Sequence, residues 1–183
     1  ARGLMGYISG KDVVLLATSP HFRPIHFKAV VEAGKHAFVE KPMATDAPGC
    51  RSMLESIAVA KQKNLAVVAG YCWRYHNAMR EMFKRIHDGD IGEILTIEAN
   101  YITGTLWHLP KTPDMTDMEW QLRNWLYFTW LSGDHICEQT IHTIDKITWA
   151  MKNTYPAFAV GMGGRQVRTG PDSPPTEPWR IRV

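Results

Sequence analysis

With 183 residues, 45% of them hydrophobic, the chain carries enough apolar material for one sizeable core and part of a second. Its net charge of +3 is spread over interspersed acids and bases with no basic stripe, which argues against a nucleic-acid partner. No stretch reaches the ~20 apolar residues of a membrane span, so no membrane partner is expected; the location is left open, cytoplasmic by default with export allowed if a signal precedes residue 1. Three widely spaced cysteines, Cys50, Cys72 and Cys137, form no C-x-x-C pair and are expected as buried, reduced thiols.

Val13 to Ala17 is a fully apolar run and reads as a central parallel strand. Thr18-Ser19-Pro20 supplies turn and capping chemistry, and a helix is expected from Arg23 to Ala33, stopped by Gly34. A second buried strand follows at Ala37 to Glu40, with Lys41 at its carboxyl end and Pro42 ending the ladder. Open α/β sheets bind ligands at that end of their strands. Asp46 and Pro48 open a second helix, with Cys50, Met53, Leu54, Ile57, Ala58 and Lys61 at helical spacing and Asn64 at its end. Leu65 to Ala69, closed by Gly70, makes a third strand. The alternation predicts a parallel sheet with right-handed crossovers.

Beyond Gly70 the character changes. Arg74 to His87 reads as a helix with Met79, Met82, Phe83 and Ile86 on one face and Gly89 at its end. Ile94 to Ile102 alternates like a half-buried antiparallel strand. Gly104 to Trp130 reads as an irregular, partly helical insertion that walls a pocket. Asp134 or His135 to Met151 carries the clearest amphipathic helix, Ala157 to Val160 a short strand, and residues 170–183 a loose tail.

On the late helix a 100° advance per residue gathers Ile136, Thr140, Ile144, Ile147 and Met151 into a core stripe. His135, Glu138, His142 and Asp145 fall together on the opposite side. A solvated face usually carries Lys and Glu; this one offers two imidazoles and two carboxylates. An imidazole with a carboxylate one turn away on either side can be held in one tautomer near neutrality, as a general acid/base requires. The same residues allow a second reading, a metal-dependent hydrolase holding a divalent ion on His135, Glu138 and His142, although the spacing is not His-Glu-x-x-His.

Two stretches together carry a family resemblance. Ala17-Thr18-Ser19-Pro20-His21, with His26 and Glu32-Ala-Gly-Lys-His-Ala-Phe-Val-Glu-Lys-Pro42, resembles the glucose–fructose oxidoreductase / inositol dehydrogenase / rhizopine-catabolism (Gfo/Idh/MocA) family. Glu138-Gln-Thr-Ile-His142-Thr-Ile-Asp145 resembles its second signature, in matching order and separation. The resemblance implies an α/β fold: a partial Rossmann parallel sheet over residues 1–72, then part of an α+β substrate and oligomerisation domain over 73–169. It implies NAD or NADP as cofactor, a sugar or polyol as small-molecule substrate, and a homo-oligomer in the full-length form.

Carried over by position, Lys41 contacts the substrate hydroxyl, His142 is the acid/base and Glu138 its acidic partner. Thr18, Pro20, His21, Glu40 and Lys41 line the cofactor's ribose side, with Arg74 near cofactor or substrate, and the Lys41–Pro42 bond is expected cis. Lys41 near His142 would lower the pKa of each by like-charge repulsion, which helps one of them act as a base near neutral pH. Three departures stand out. Glu138 replaces the family's usual aspartate, and Thr140 replaces a common glycine. No G-x-G-x-x-G opens the chain, and Gly161 to Gln166 is a decoy. A chain truncated at its N-terminus is therefore expected, with an incomplete second sheet. The alternative is a non-catalytic homologue acting as a binding module.

Overall fold

A computed structural model describes residues 12–104 and 106–162. The expected tail at 170–183 and most of the Gly161–Gln166 stretch lie outside the described residues.

Three parallel strands form the sheet, in the order β1 (Val13–Leu16), β2 (His36–Val39), β3 (Val67–Ala69). The register pairs Val14 with Ala37 and Phe38 with Val68. Between the strands run α1 (Arg23–Glu32) and α2 (Ala47–Gln62). Val14, Leu16, Ala37 and Val39 point to one face of the sheet and bury against Phe27, Val30 and Val31 of α1 and Met53 and Ala60 of α2. Both helices therefore lie on that face, as successive crossovers in one direction require. α1 ends where Gly34 takes a left-handed φ of 68°, and Asp46 caps α2 by accepting from Gly49 N at 2.7 Å.

Several expectations are corrected. β1 is not central: among the described residues β2 is the middle strand, and Leu15 on the bare face of β1 is 72% exposed. An all-apolar run does not reveal that only one of its faces is covered. On α2 the buried face is Met53, Ser56 and Ala60 with Ile57 beside it, while Leu54 is 66% exposed. Leu54 lies a full 100° step from Met53, outside the buried arc. Cys50 and Cys72 are exposed, Cys137 is half-buried, and all three are free thiols.

After β3 a 3-10 turn at Cys72–Tyr75 precedes α3 (Asn77–Asp88), so the helix starts three residues later than expected. Of its predicted apolar face only Phe83 is buried, stacked on Trp149 with centroids 4.1 Å apart. Residues 94–102 form no strand; Leu95 and Ile102 are 86% and 92% exposed. Alternation makes a strand only when a neighbour supplies the ladder, and none of the described residues pairs with this segment. Ala157 to Val160 fails in the same way, with Phe158 and Val160 exposed.

The insertion is helical in pieces: α4 (Asp117–Arg123), a 3-10 turn at Trp125–Tyr127 and α5 (Thr129–Ser132). Leu126, Tyr127, Phe128 and Leu131 bury together as a second small core. Asn124 ties this core to the preceding coil, exchanging hydrogen bonds with the Leu109 backbone at 2.8 and 3.0 Å. The late amphipathic stretch is not one α-helix. It opens as a π turn over Ile136–Thr140 and continues as α6 (Ile141–Ala150). Its buried residues are Glu138 and Thr143 rather than the expected isoleucine stripe, and Met151 is exposed. The π register adds a residue to one turn and rotates everything before it relative to everything after.

Candidate active site

The carboxyl edge of the sheet is held by one buried cation. Arg23, in the first turn of α1 and 3% exposed, donates to the carbonyl oxygen of Pro42 at 2.6 Å and of Thr18 at 2.7 Å. It thus ties the segments leaving β1 and β2. Burial pushes its pKa down to about 10, against the pull of Glu40 and Glu138, so the guanidinium stays charged at neutral pH. The Lys41–Pro42 bond it fixes is cis, as expected.

Beside that turn the backbone is closely packed. A Cβ on Gly70, just past β3, would fall 2.7 Å from the Glu40 carboxyl carbon and 2.9 Å from its Cα. Glu40 accepts from the backbone N–H of Lys41 at 3.1 Å. The Lys41 ammonium crosses 97 residues of sequence to Glu138, donating to both its carboxylate and its carbonyl oxygen. Gly133, at φ 76°, makes that approach possible: a Cβ there would lie 2.7 Å from Cys137 Cβ and 3.0 Å from Thr45 Cα in the segment after β2.

His142 sits near this ion pair. Burial, then the charge of Lys41, holds its pKa below the ordinary imidazole value, with Glu138 opposing. Its Nδ1 is buried and has no partner among the described residues. Tyr101 stacks on the imidazole at 6.4 Å and 19°, and meets His135 edge-on at 6.0 Å. His135 is engaged elsewhere, its Nδ1 on the Thr140 hydroxyl at 2.9 Å, and burial lowers its pKa too. Among the described residues no group of three His, Cys, Asp or Glu side chains is disposed to hold a metal ion.

The other sequence-picked residues spread along the edge. Arg74 is bound to Asp145, Nε to both carboxylate oxygens at 2.9 and 3.0 Å, and lies over Trp149. Thr18 Oγ1 pairs with His26 Nδ1 at 3.2 Å, Pro20 is fully buried, and His21 packs edge-on between Phe22 and Trp130. The structure thus gathers Lys41, Glu138 and His142, keeps Glu40 beside them, and commits Arg74 to an ion pair. A depression of about 190 Å³ between α1 and α2, lined by Lys28, Glu32 and Glu55, involves none of them.

Sequence reasoning missed Arg23, Gln139 and Tyr101. Arg23 carried a faint signal, since a cation in a helix's first turn opposes the helix dipole and needs another reason to be there.

Residues 8–71 match the model of the Gfo/Idh/MocA group, an oxidoreductase family with an NAD-binding Rossmann fold. That segment is similar to the family's NAD-binding domain. The chain is 26% identical over 149 residues to the inositol 2-dehydrogenase/D-chiro-inositol 3-dehydrogenase of Halalkalibacterium halodurans, covering 81% of this chain and 36% of that protein. It is 29% identical over 134 residues to inositol 2-dehydrogenase 1 of Saccharopolyspora erythraea, covering 73% and 39%. The chain therefore spans well under half of these relatives. The crystal structure of myo-inositol 2-dehydrogenase from Lactobacillus plantarum superposes with a TM-score of 0.61 over 80% of this chain and 40% of that one, at 24% identity, a likeness of fold. The Rossmann-like parallel sheet is thereby common to sequence, structure and family.

Proposed function

We propose that this chain supplies the acid–base part of an NAD(P)-dependent oxidoreductase acting on a hydroxyl or carbonyl of a sugar or polyol. The observation that carries the reading is the Lys41–Glu138 ion pair beside the unpartnered Nδ1 of His142 at the carboxyl edge of a parallel sheet. The relatives' names, inositol dehydrogenases, favour a polyol over other substrates.

The residues present fit a hydroxyl-bearing substrate at this edge. A buried ring nitrogen without a partner is a penalty that a bound hydroxyl group would relieve. Glu40 and Lys41 would flank the cofactor, with Thr18 and Pro20 at the neighbouring strand end. When bound, the nicotinamide would take the hydride from the carbinol carbon. His142, kept neutral by burial and by Lys41, takes the hydroxyl proton at Nδ1 and returns it in the reverse direction. Lys41 donates to the substrate oxygen and steadies the charge that develops there. Glu138 holds the ammonium in place. Residues 1–72 form the nucleotide half and 73–169 the substrate half in this reading, and the family resemblance adds assembly as a homo-oligomer.

Titration of the chain with NADH or NADPH, followed by nicotinamide fluorescence, should show saturable binding. His142→Ala should lower polyol turnover about 100- to 10,000-fold while leaving cofactor affinity unchanged. Unchanged turnover in that variant would remove His142 as the base; no cofactor binding at millimolar concentration would favour a binding module.

A further inference from the structure

Tyr101 belongs to the segment whose strand pattern failed, yet its side chain reaches the site by two routes. Its ring runs nearly parallel to that of His142, offset with centroids 6.4 Å apart, and meets His135 edge-on. Its hydroxyl donates to Gln139 Oε1 at 2.7 Å. With its oxygen occupied, the Gln139 amide turns its Nε2 toward Glu138 and donates to the carboxylate oxygen that Lys41 leaves free. We infer that Tyr101 is a positioning residue for the acid–base pair, its ring packed beside the His142 imidazole and its hydroxyl holding Gln139 so that Glu138 stays aimed at Lys41. The inference rests on the reading of His142 and Lys41 as the reacting groups.

The chemistry is that of an amide with two ends. Gln139 satisfies Glu138 only when its NH2 faces the carboxylate; a flipped amide would set two oxygens against each other. The acceptor-only carboxylate selects that orientation, and the Tyr101 hydroxyl, donating to the oxygen at the far end, anchors the amide in it. Burial and the charge of Glu138 push the Tyr101 phenol above its ordinary pKa, so it remains a donor wherever imidazoles titrate. Around His142 the charged groups are Lys41 from the turn after β2, Glu138 from the π turn, and Asp145 and Lys146 from α6. Tyr101 adds no charge to that set; its ring is part of the packing beside the imidazole.

The two routes separate in two variants, read by NMR on the intact chain without cofactor or substrate. In Tyr101→Leu the His142 imidazole midpoint should rise by about half a pH unit or more, because the imidazole loses part of the packing beside it and is better hydrated. Tyr101→Phe should leave that midpoint in place and instead shift the Gln139 side-chain amide protons. In polyol oxidation Tyr101→Phe should lower kcat about three- to tenfold with KM nearly constant. Unchanged His142 midpoints in Tyr101→Leu together with unchanged Gln139 resonances in Tyr101→Phe would overturn the inference. NMR shifts as expected in a chain that turns over no polyol would uphold the positioning while removing the dehydrogenase reading.

Discussion

Lys41 reaches Glu138 across 97 residues of sequence, and the two are nearly shielded from water, with side chains 13% and 9% exposed. An ion pair so placed is stronger than a surface pair, and removing one partner strands the other. Lys41→Met should therefore abolish polyol turnover and also destabilise the protein by about 2 to 4 kcal/mol, measured by urea unfolding. Glu138→Gln should lower kcat about ten- to a hundredfold with a smaller loss of stability, since the backbone oxygen still accepts from the ammonium. These residues were legible because two motifs, a lysine before a proline and an acid four positions ahead of a histidine, together resemble a family's paired signatures; a lone Glu-Lys-Pro reads as a surface ion pair. Tyr101 and Gln139 were not. Nothing in a lone tyrosine says that its hydroxyl meets a glutamine 38 residues on.

At the scale of elements, the strand–helix–strand alternation from Val13 to Ala69 was readable because each element is short, apolar and closed by a breaker. The π turn was not readable, since no residue type announces it, and extending a 100° step across it misplaced the core stripe of the late helix. Burial along α2 was misread for a simpler reason: Leu54 is apolar but faces water. The clamp between elements gives its own test. Arg23→Met should cost about 2 to 4 kcal/mol, because a buried carbonyl at Pro42 and a part-buried one at Thr18 lose charge-assisted donors, and it should loosen the Thr18 and Pro42 segments in hydrogen exchange. Gly70→Ala should destabilise by about 1 to 3 kcal/mol by pushing on Glu40, with cofactor affinity falling in the same variant.

For the molecule as a whole, His26, His135 and His142 are all held below the usual imidazole pKa by burial. The unfolded chain takes up protons at these sites near pH 6.5, where the folded chain resists. Stability is therefore full above about pH 7 and falls as the pH drops through the unfolded value toward the lowered folded ones. Thermal unfolding at pH 7.5 and 5.5 should show that loss, and His142→Gln should shrink it. The described residues include no helix long and apolar enough to cross a membrane. Finally, the double hold of Glu138 on Lys41 bears on how such a site tolerates change. One of the two anchors is a peptide oxygen, which every amino acid supplies, so drift at position 138 leaves a tether in place and retunes the ammonium without releasing it.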